Sequence, residues 1–309
     1  MNNITVITDD FIKLDTLYAV KLFIKSLFKK KKHTGHYAVT RSLCAGLDLL
    51  NVKYNYNPPF TFLVNKNVIV LSNIDVLKKC IELKQHRKIR KLLAGPNLMV
   101  RSNEYNCILG DKHIDKVIVP SEWVKRAYIE DLQILENRIE IWAAGIDEFF
   151  FTPNSNLKDK TIIIYWKTES KEFIDQICNL VILNGFNVEI INYGAYELSD
   201  FKIKLQHAIA VIYVSICESQ GLAIQEIWSM NIPTFVWQPN SLIIGEKMYR
   251  EFSSSPYLCS ETGVFFHNLT DLEIVLNRFK DNKYTFNPRK IVVENYTDLV
   301  CAQKLLNLL

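Results

Sequence analysis

The sequence predicts a parallel α/β protein in two domains. Three observations carry this reading. Short apolar runs alternate with amphipathic stretches along most of the chain, the pattern of strands joined by helical crossovers. The same theme appears in both halves, separated by the weakly patterned stretch DEFFFTPNSNLKDK at 147–160, which reads as the linker. The length of 309 residues suits two domains of ordinary size. The expected division is 1–150 and 151–309, with the last helix able to pack back on the first domain.

Residues 16–30, TLYAVKLFIKSLFKK, mix apolar groups with lysines and run into Lys29–Lys32. They fit a basic helix, and KLFIKSLF also fits a strand. A short loop, His33-Thr34-Gly35-His36, precedes Val39, Leu43, Leu47 and Leu50 at helical spacing, so 37–50 is expected to be a helix. After a turn at YNYNPPF, VIVL at 68–71 reads as a buried strand and 74–88 as a helix. LLAG (92–95), KVIVP (116–120) and IEIW (139–142) are three more strands; 121–132 is a helix with Ser121 as N-cap. In the second half, TIIIYW (161–166), FNVEII (186–191), AIAVIYV (208–214) and PTFVW (233–237) are strands. Helices are expected at 169–184, 199–207 and 221–230.

Composition narrows the function classes. Hydrophobic residues make up 49%, and mean hydropathy is +0.02, enough for a full core. The net charge of +4 is too small to argue for nucleic acid. No apolar run reaches the roughly 18–20 residues that span a bilayer. MNNITVITDD lacks the basic and apolar regions of a secretory signal. The seven cysteines are scattered, odd in number and without a CxxC. They read as free thiols in a reducing, cytoplasmic compartment, with no zinc site. Lys29–Lys32, next to Phe23, Leu27 and Phe28, suit peripheral contact with an anionic membrane at its inner face. The plainer reading of that run is a solvated basic face.

The chemistry concentrates in CESQGLAIQEIWSMNIPTFVW, 217–237. A buried strand at 208–214 delivers Ser215 to Gly221 to its carboxyl-end loop, where open α/β sheets bind ligands. Gly221 lets backbone approach a ligand closely. The helix that follows presents unpaired N–H groups and a positive dipole end, an anion site suited to a diphosphate. Glu226, about a turn and a half into the helix at ~3.6 residues per turn, can accept both hydroxyls of a ribose. Glu218, in the loop, can hold sugar hydroxyls. The plainer alternative is that both acids only favour the helix start electrostatically.

ESQGLAIQEIWSMNIPTFVW resembles the E-x7-E region of retaining GT-B glycosyltransferases of the family 4 type. Ile227 stands where that family usually has alanine, and Met230-Asn231-Ile232 varies the next step. Glu218, Glu226, Gly221, Pro233 and Trp237 match. DKVIVPSEWVKRAYIEDL…RIEIWAAGIDEFFFTP (115–153) and SSSPYLCSETGVFF (253–266) are similar to two further family stretches, so the likeness covers roughly 115–266. It implies a GT-B fold, two facing Rossmann-like domains with a donor cleft between them. It also implies transfer of a sugar, with retention, from a UDP-, GDP- or other nucleotide sugar to a glycan or lipid-linked acceptor.

The resemblance assigns residues as well. Glu226 matches the ribose-binding glutamate, and Glu218 the one beside the donor sugar. Ser219, Gly221, Leu222 and Ala223 would line the diphosphate and sugar. The family's basic pair, which neutralises the leaving diphosphate, is matched by Lys167 and Lys171. Lys167, directly at the strand end, is the better placed; Lys171 also reads as a solvated helix lysine. Where the family has a Gly-rich loop, this chain has Thr34, Gly35 and His36 after a lysine run, with Gly35 admitting the diphosphate. His36 suits a phosphate or acceptor hydroxyl, or is a simple helix cap. Asn97, in AGPNL, suits the ligand side of its strand or a plain turn.

No DxD occurs in the chain, and two lysines with a helix N-terminus can stabilise a departing diphosphate without metal or cofactor. Two other readings stay open. One is a nucleotide-sugar epimerase on the same scaffold, for which His36 or His113 would matter. The other is a non-catalytic partner that binds a glycan or a transferase.

Overall fold

The computed structural model describes residues 4–8, 35–64, 66–154 and 159–309. The chain divides into two compact units, residues 1–145 with 299–309, and residues 146–298.

The first unit is built on a sheet of β1 (Ile4–Ile7), β2 (Tyr54–Tyr56), β3 (Asn67–Val70), β4 (Lys91–Ala94), β5 (Lys116–Val119) and β6 (Ile139–Ile141). The spatial order is β2-β1-β3-β4-β5-β6, and every pairing is parallel. The order reverses between β1 and β3, the switch point of an open α/β sheet. α1 (Gly35–Leu49), α2 (Ile74–Gln85) and α3 (Glu122–Asp131) follow their strands. Val68, Val70, Leu92, Val117 and Val119 are buried on one layer with Leu77 of α2 and Tyr128 of α3. Near-continuous apolar strands suit a parallel sheet covered on both faces.

Two departures from the sequence reading fall here. β1 is a strand that the sequence pattern does not mark: ITVI is a short run, but it lies between β2 and β3 and is buried. Part of YNYNPPF, read as a turn, is edge strand β2. Tyr54, Asn55 and Tyr56 pair with Ile4, Thr5 and Val6. Three residues give no visible periodicity; the pairing with β1 makes the strand. Ser121 stands at the N-cap of α3 but makes no side-chain capping bond to the helix. The basic stretch 16–32, His33 and Thr34 lie outside the described residues.

The second unit holds β7 (Thr161–Trp166), β8 (Asn187–Asn192), β9 (Ala208–Val214), β10 (Thr234–Trp237), the hairpin β11 (Leu242–Ile244) and β12 (Lys247–Tyr249), and β13 (Gly263–Phe266). Five of these form a parallel sheet in the order β13-β10-β9-β7-β8. α4 (Lys171–Leu183), α5 (Leu198–His207), α6 (Leu222–Ser229), α7 (Leu269–Lys280) and α8 (Pro288–Asn295) cover it. Side chains alternate across the central strands. Ile163, Tyr165, Val211 and Tyr213 pack with Phe201 of α5 and Ile224, Ile227 and Trp228 of α6. Ile162, Ile164, Ile212 and Val214 pack on the opposite face with Ile174, Ile177 and Leu276 of α4 and α7.

The stretch 147–160, expected as a linker, begins with packed structure. Phe151 is buried in the second core. The Arg289 guanidinium donates to the carbonyls of Phe151, Ser229 and Glu148. The last helix, α9 (Asp298–Leu306), puts Cys301, Ala302 and Leu305 in buried positions, and the Trp142 indole donates to the Cys301 carbonyl at 2.8 Å. No described helix is long and apolar enough to cross a membrane. All seven cysteines are free.

Candidate functional site

The carboxyl ends of β7, β9 and β10 bring three loops together in the second unit. β7 runs into Lys167, whose backbone N–H donates to the Val214 carbonyl at 3.0 Å. The pairing of β7 with β9 thus continues one residue beyond the strand and aims Lys167 at the loop after β9. That loop, Ser215 to Gln220, is fastened from several sides. Ile216 N–H donates to Thr168 Oγ1 at 2.9 Å. Ser254 Oγ donates to the Ile216 carbonyl, and Glu218 N–H donates to the Ser253 carbonyl. Gln238, just after β10, accepts the Ser254 N–H.

Glu218 is thereby held inside the loop and is only 8% exposed. A buried carboxylate needs its charge met. Lys167 Nζ lies 2.7 Å from Oε1 and 2.9 Å from Oε2, and the Tyr213 hydroxyl donates to Oε1 at 2.8 Å. The Lys167 ammonium also sits over the Tyr193 ring, 4.7 Å from its centroid.

Beneath this ion pair lies a layer of tyrosines. Tyr213 and Tyr165 are partners across β9 and β7, stacked with centroids 4.7 Å apart and planes 8° apart. The Tyr165 and Tyr196 hydroxyls are 2.8 Å from each other. Burial raises the Tyr213 phenol well above its ordinary range, and the Glu218 charge adds to it. Burial likewise raises Tyr165 and Tyr196, with contributions from Glu226 and Glu218. The Tyr213 hydroxyl therefore keeps its proton and acts as donor to Glu218.

Gly221 is the N-cap of α6, with φ 86°. A Cβ there would meet nothing closer than 3.7 Å, so left-handed backbone, not crowding, demands glycine. No acidic residue stands in the first turn of α6, so none of its own carboxylates competes for the amides there. Leu222, Ala223 and Glu226 are the partly exposed residues of the helix up to Ser229, while Ile224, Gln225, Ile227, Trp228 and Ser229 are buried. The spacing 222/226 and 223/226 puts the three on one stripe.

The structure thus brings Glu218, Lys167, Gly221 and the Leu222-Ala223-Glu226 stripe to one end of one sheet. Lys171 opens α4, the helix that follows β7, and so stands at the same end of that sheet; it pairs with Asp175 at 2.7 Å, and its side chain is 71% exposed. Gly35 and His36 open α1 in the first unit, both exposed. Also in the first unit, His113 Nδ1 lies 2.8 Å from Asp111, and the Asn97 side-chain nitrogen is buried without a hydrogen-bond partner. Sequence reading missed Tyr213, Tyr165, Thr168, Ser253 and Ser254. A signal for Tyr213 was present. A tyrosine inside the apolar strand AIAVIYV must find an acceptor for its hydroxyl, and Glu218 follows shortly after.

No protein-family model matches the sequence, and no curated protein matches it. Solved structures do. HepE of Anabaena in complex with UDP superposes with a TM-score of 0.61 at 9% identity, over 100% of this chain and 99% of that one. A glycosyltransferase from Rickettsia africae gives 0.59 at 12% identity, over 99% and 97%. The lipopolysaccharide outer core galactosyltransferase WaaB gives 0.57 at 12% identity, over 98% of both chains.

The fold is that of the GT-B glycosyltransferases. At such low identity the likeness speaks for architecture, and the two parallel sheets described above are that architecture. Among the described residues, no group of three or more His, Cys, Asp or Glu is placed to hold a metal ion.

Proposed function

We propose that the chain is a glycosyltransferase that moves a sugar from a nucleotide-diphosphate sugar to a glycan or lipid-linked acceptor, with retention of configuration and without a metal ion or cofactor. The observation that carries the reading is the Lys167–Glu218 pair standing directly before the Gly221-capped start of α6. A cation and a helix N-terminus suit a diphosphate. A carboxylate held by Lys167 and Tyr213 suits the hydroxyls of a sugar. The GT-B fold supports the same class, and the HepE structures were obtained with UDP and with UDP-glucose, which makes UDP-sugars the first donors to try.

In this proposal Glu226 takes the ribose hydroxyls, and the α6 amides with Ser219, Gly221, Leu222 and Ala223 line the diphosphate and sugar. Lys167 meets the charge that grows on the leaving diphosphate as the bond from the sugar C1 breaks. The acceptor oxygen forms its bond to C1 on the face the diphosphate leaves, and its proton passes to a diphosphate oxygen. Of the two lysines, Lys167 is given the role because its Nζ is already at Glu218, while Lys171 stays on Asp175. The first unit takes the acceptor, with Thr34, Gly35 and His36 offering contacts to a phosphate or acceptor hydroxyl. The Lys29–Lys32 run gives peripheral attachment to the inner face of a membrane, where a lipid-linked acceptor would lie, in a cytoplasmic protein.

The test is release of nucleoside diphosphate from a panel of UDP-, GDP- and other nucleotide sugars, with polyprenol-linked glycans as acceptors. Proton NMR of the product reads the anomeric configuration, and a parallel reaction contains EDTA. One nucleotide is expected to be released, with the donor's configuration kept and the rate unchanged by EDTA. Absence of release across the panel contradicts the enzyme reading, an inverted product contradicts retention, and loss of rate in EDTA contradicts metal independence.

A further inference from the structure

We infer that Tyr213 is a positioning residue: its buried hydroxyl fixes the orientation of the Glu218 carboxylate toward the donor sugar. The inference rests on the donor-site reading above and adds a residue to it. Lys167 Nζ reaches both Glu218 oxygens, at 2.7 and 2.9 Å, and so hardly distinguishes them. The Tyr213 hydroxyl reaches Oε1, at 2.8 Å, and it marks that oxygen off from Oε2. Lys167 must also serve the diphosphate when a donor binds, and any shift of its ammonium toward phosphate loosens its hold on Glu218. The Tyr213 bond has no such second client.

The ring is built not to move. Tyr213 is 1% exposed, in register with Tyr165 across the sheet, and stacked on it. Its strand is otherwise apolar, AIAVIYV, and a phenylalanine would fill the same space. Packing therefore does not account for the hydroxyl, whereas a carboxylate needing an oriented donor does. The Glu218 backbone is fixed independently, by its N–H bond to the Ser253 carbonyl. What Tyr213 adds is the direction of the side chain.

The experiment is Tyr213→Phe in the full-length chain, with kcat and donor KM from UDP-sugar turnover and the dissociation constant for UDP from calorimetry. Phe keeps the ring stack. A positioning role predicts that kcat falls by roughly tenfold or more, because the lost contact matters where charge develops at the sugar. Donor KM and UDP affinity should stay within about twofold, since the α6 amides, Lys167 and Glu226 are untouched. Wild-type turnover matched by the mutant kcat would overturn this inference alone. A joint fall of kcat and UDP affinity would also overturn it, since that is the mark of a distorted site. No UDP binding and no turnover by the wild type would remove the donor reading, and this inference with it.

Discussion

The two parallel sheets differ most at their carboxyl ends. In the first unit, β3, β4, β5 and β6 run into Leu71-Ser72-Asn73, Gly95-Pro96-Asn97, Pro120-Ser121 and Trp142-Ala143. These described positions are neutral, and the hydroxyls and amides among them are short. In the second unit, β7 and β9 run into Lys167-Thr168-Glu169 and the loop bearing Glu218. Among the described residues, the ends of β3, β4, β5 and β6 thus carry no charge, while the end of the second sheet is organised around an ion pair. An anionic ligand has reason to choose the second. A ligand read mainly by its hydroxyls has no reason to avoid the first. This difference supports the proposal of a donor site in the second unit.

The comparison can be broken from either side. The largest expected effect is in the first unit. Gly95 has φ 116°, and a Cβ there would lie 2.1 Å from the Ile118 carbonyl oxygen on β5. Backbone cannot yield that far cheaply, so Gly95→Ala is expected to cost about 4 kcal/mol or more, read by chemical denaturation. If the second unit alone holds the donor, UDP affinity measured on the fraction that stays folded should be unchanged.

Next comes Lys167→Ala. It removes the cation meant for the diphosphate and leaves Glu218 short of its partner. Turnover should fall on the order of a hundredfold or more. Stability should fall by about 2 kcal/mol, less than for a fully buried pair because the Lys167 side chain is 25% exposed. A rate within twofold of wild type would move the phosphate site away from β7.

Gly221→Ala is intermediate. The left-handed φ of 86° disfavours any side chain, at about 1–2 kcal/mol. Relief of that strain would turn the first amides of α6, so UDP affinity should drop with stability. A variant that loses stability but binds UDP as before would dissociate the helix start from the ligand. The smallest effect belongs to Lys171→Ala. Its exposed pair with Asp175 predicts no measurable change in melting temperature or in donor KM. A marked rise in donor KM would give Lys171 a part in the donor site.

Much of this was legible in the sequence, for physical reasons. TIIIYW and AIAVIYV are buried on both faces of a parallel sheet, so their apolar runs end where the strands end, at Trp166 and Val214. Glu218, Gly221 and Glu226 stood out through their spacing and their likeness to a known motif. ITVI carries little periodicity in its four residues, and only the flanking strands show that it is central. Lys167 and Lys171 were hard to separate in sequence. Strand direction sends one to Glu218, while helix geometry sends the other to Asp175 four residues on. Tyr213 reads as core by its place in AIAVIYV, and its hydroxyl signals in sequence only that an acceptor is near. Its hydroxyl acquires meaning only when the loop folds Glu218 back over the strand.

The most direct test is calorimetric titration of UDP into the wild type, Lys167→Ala and Glu226→Ala proteins. Binding by the wild type, with clear weakening in both variants, is the predicted result. Glu226 should act through the ribose and Lys167 through the diphosphate, so uridine should lose the Lys167 dependence and keep that on Glu226. UDP binding that is indifferent to both substitutions, or absent in a panel that includes GDP, would contradict the placement of a nucleotide-diphosphate site at the carboxyl end of the second sheet.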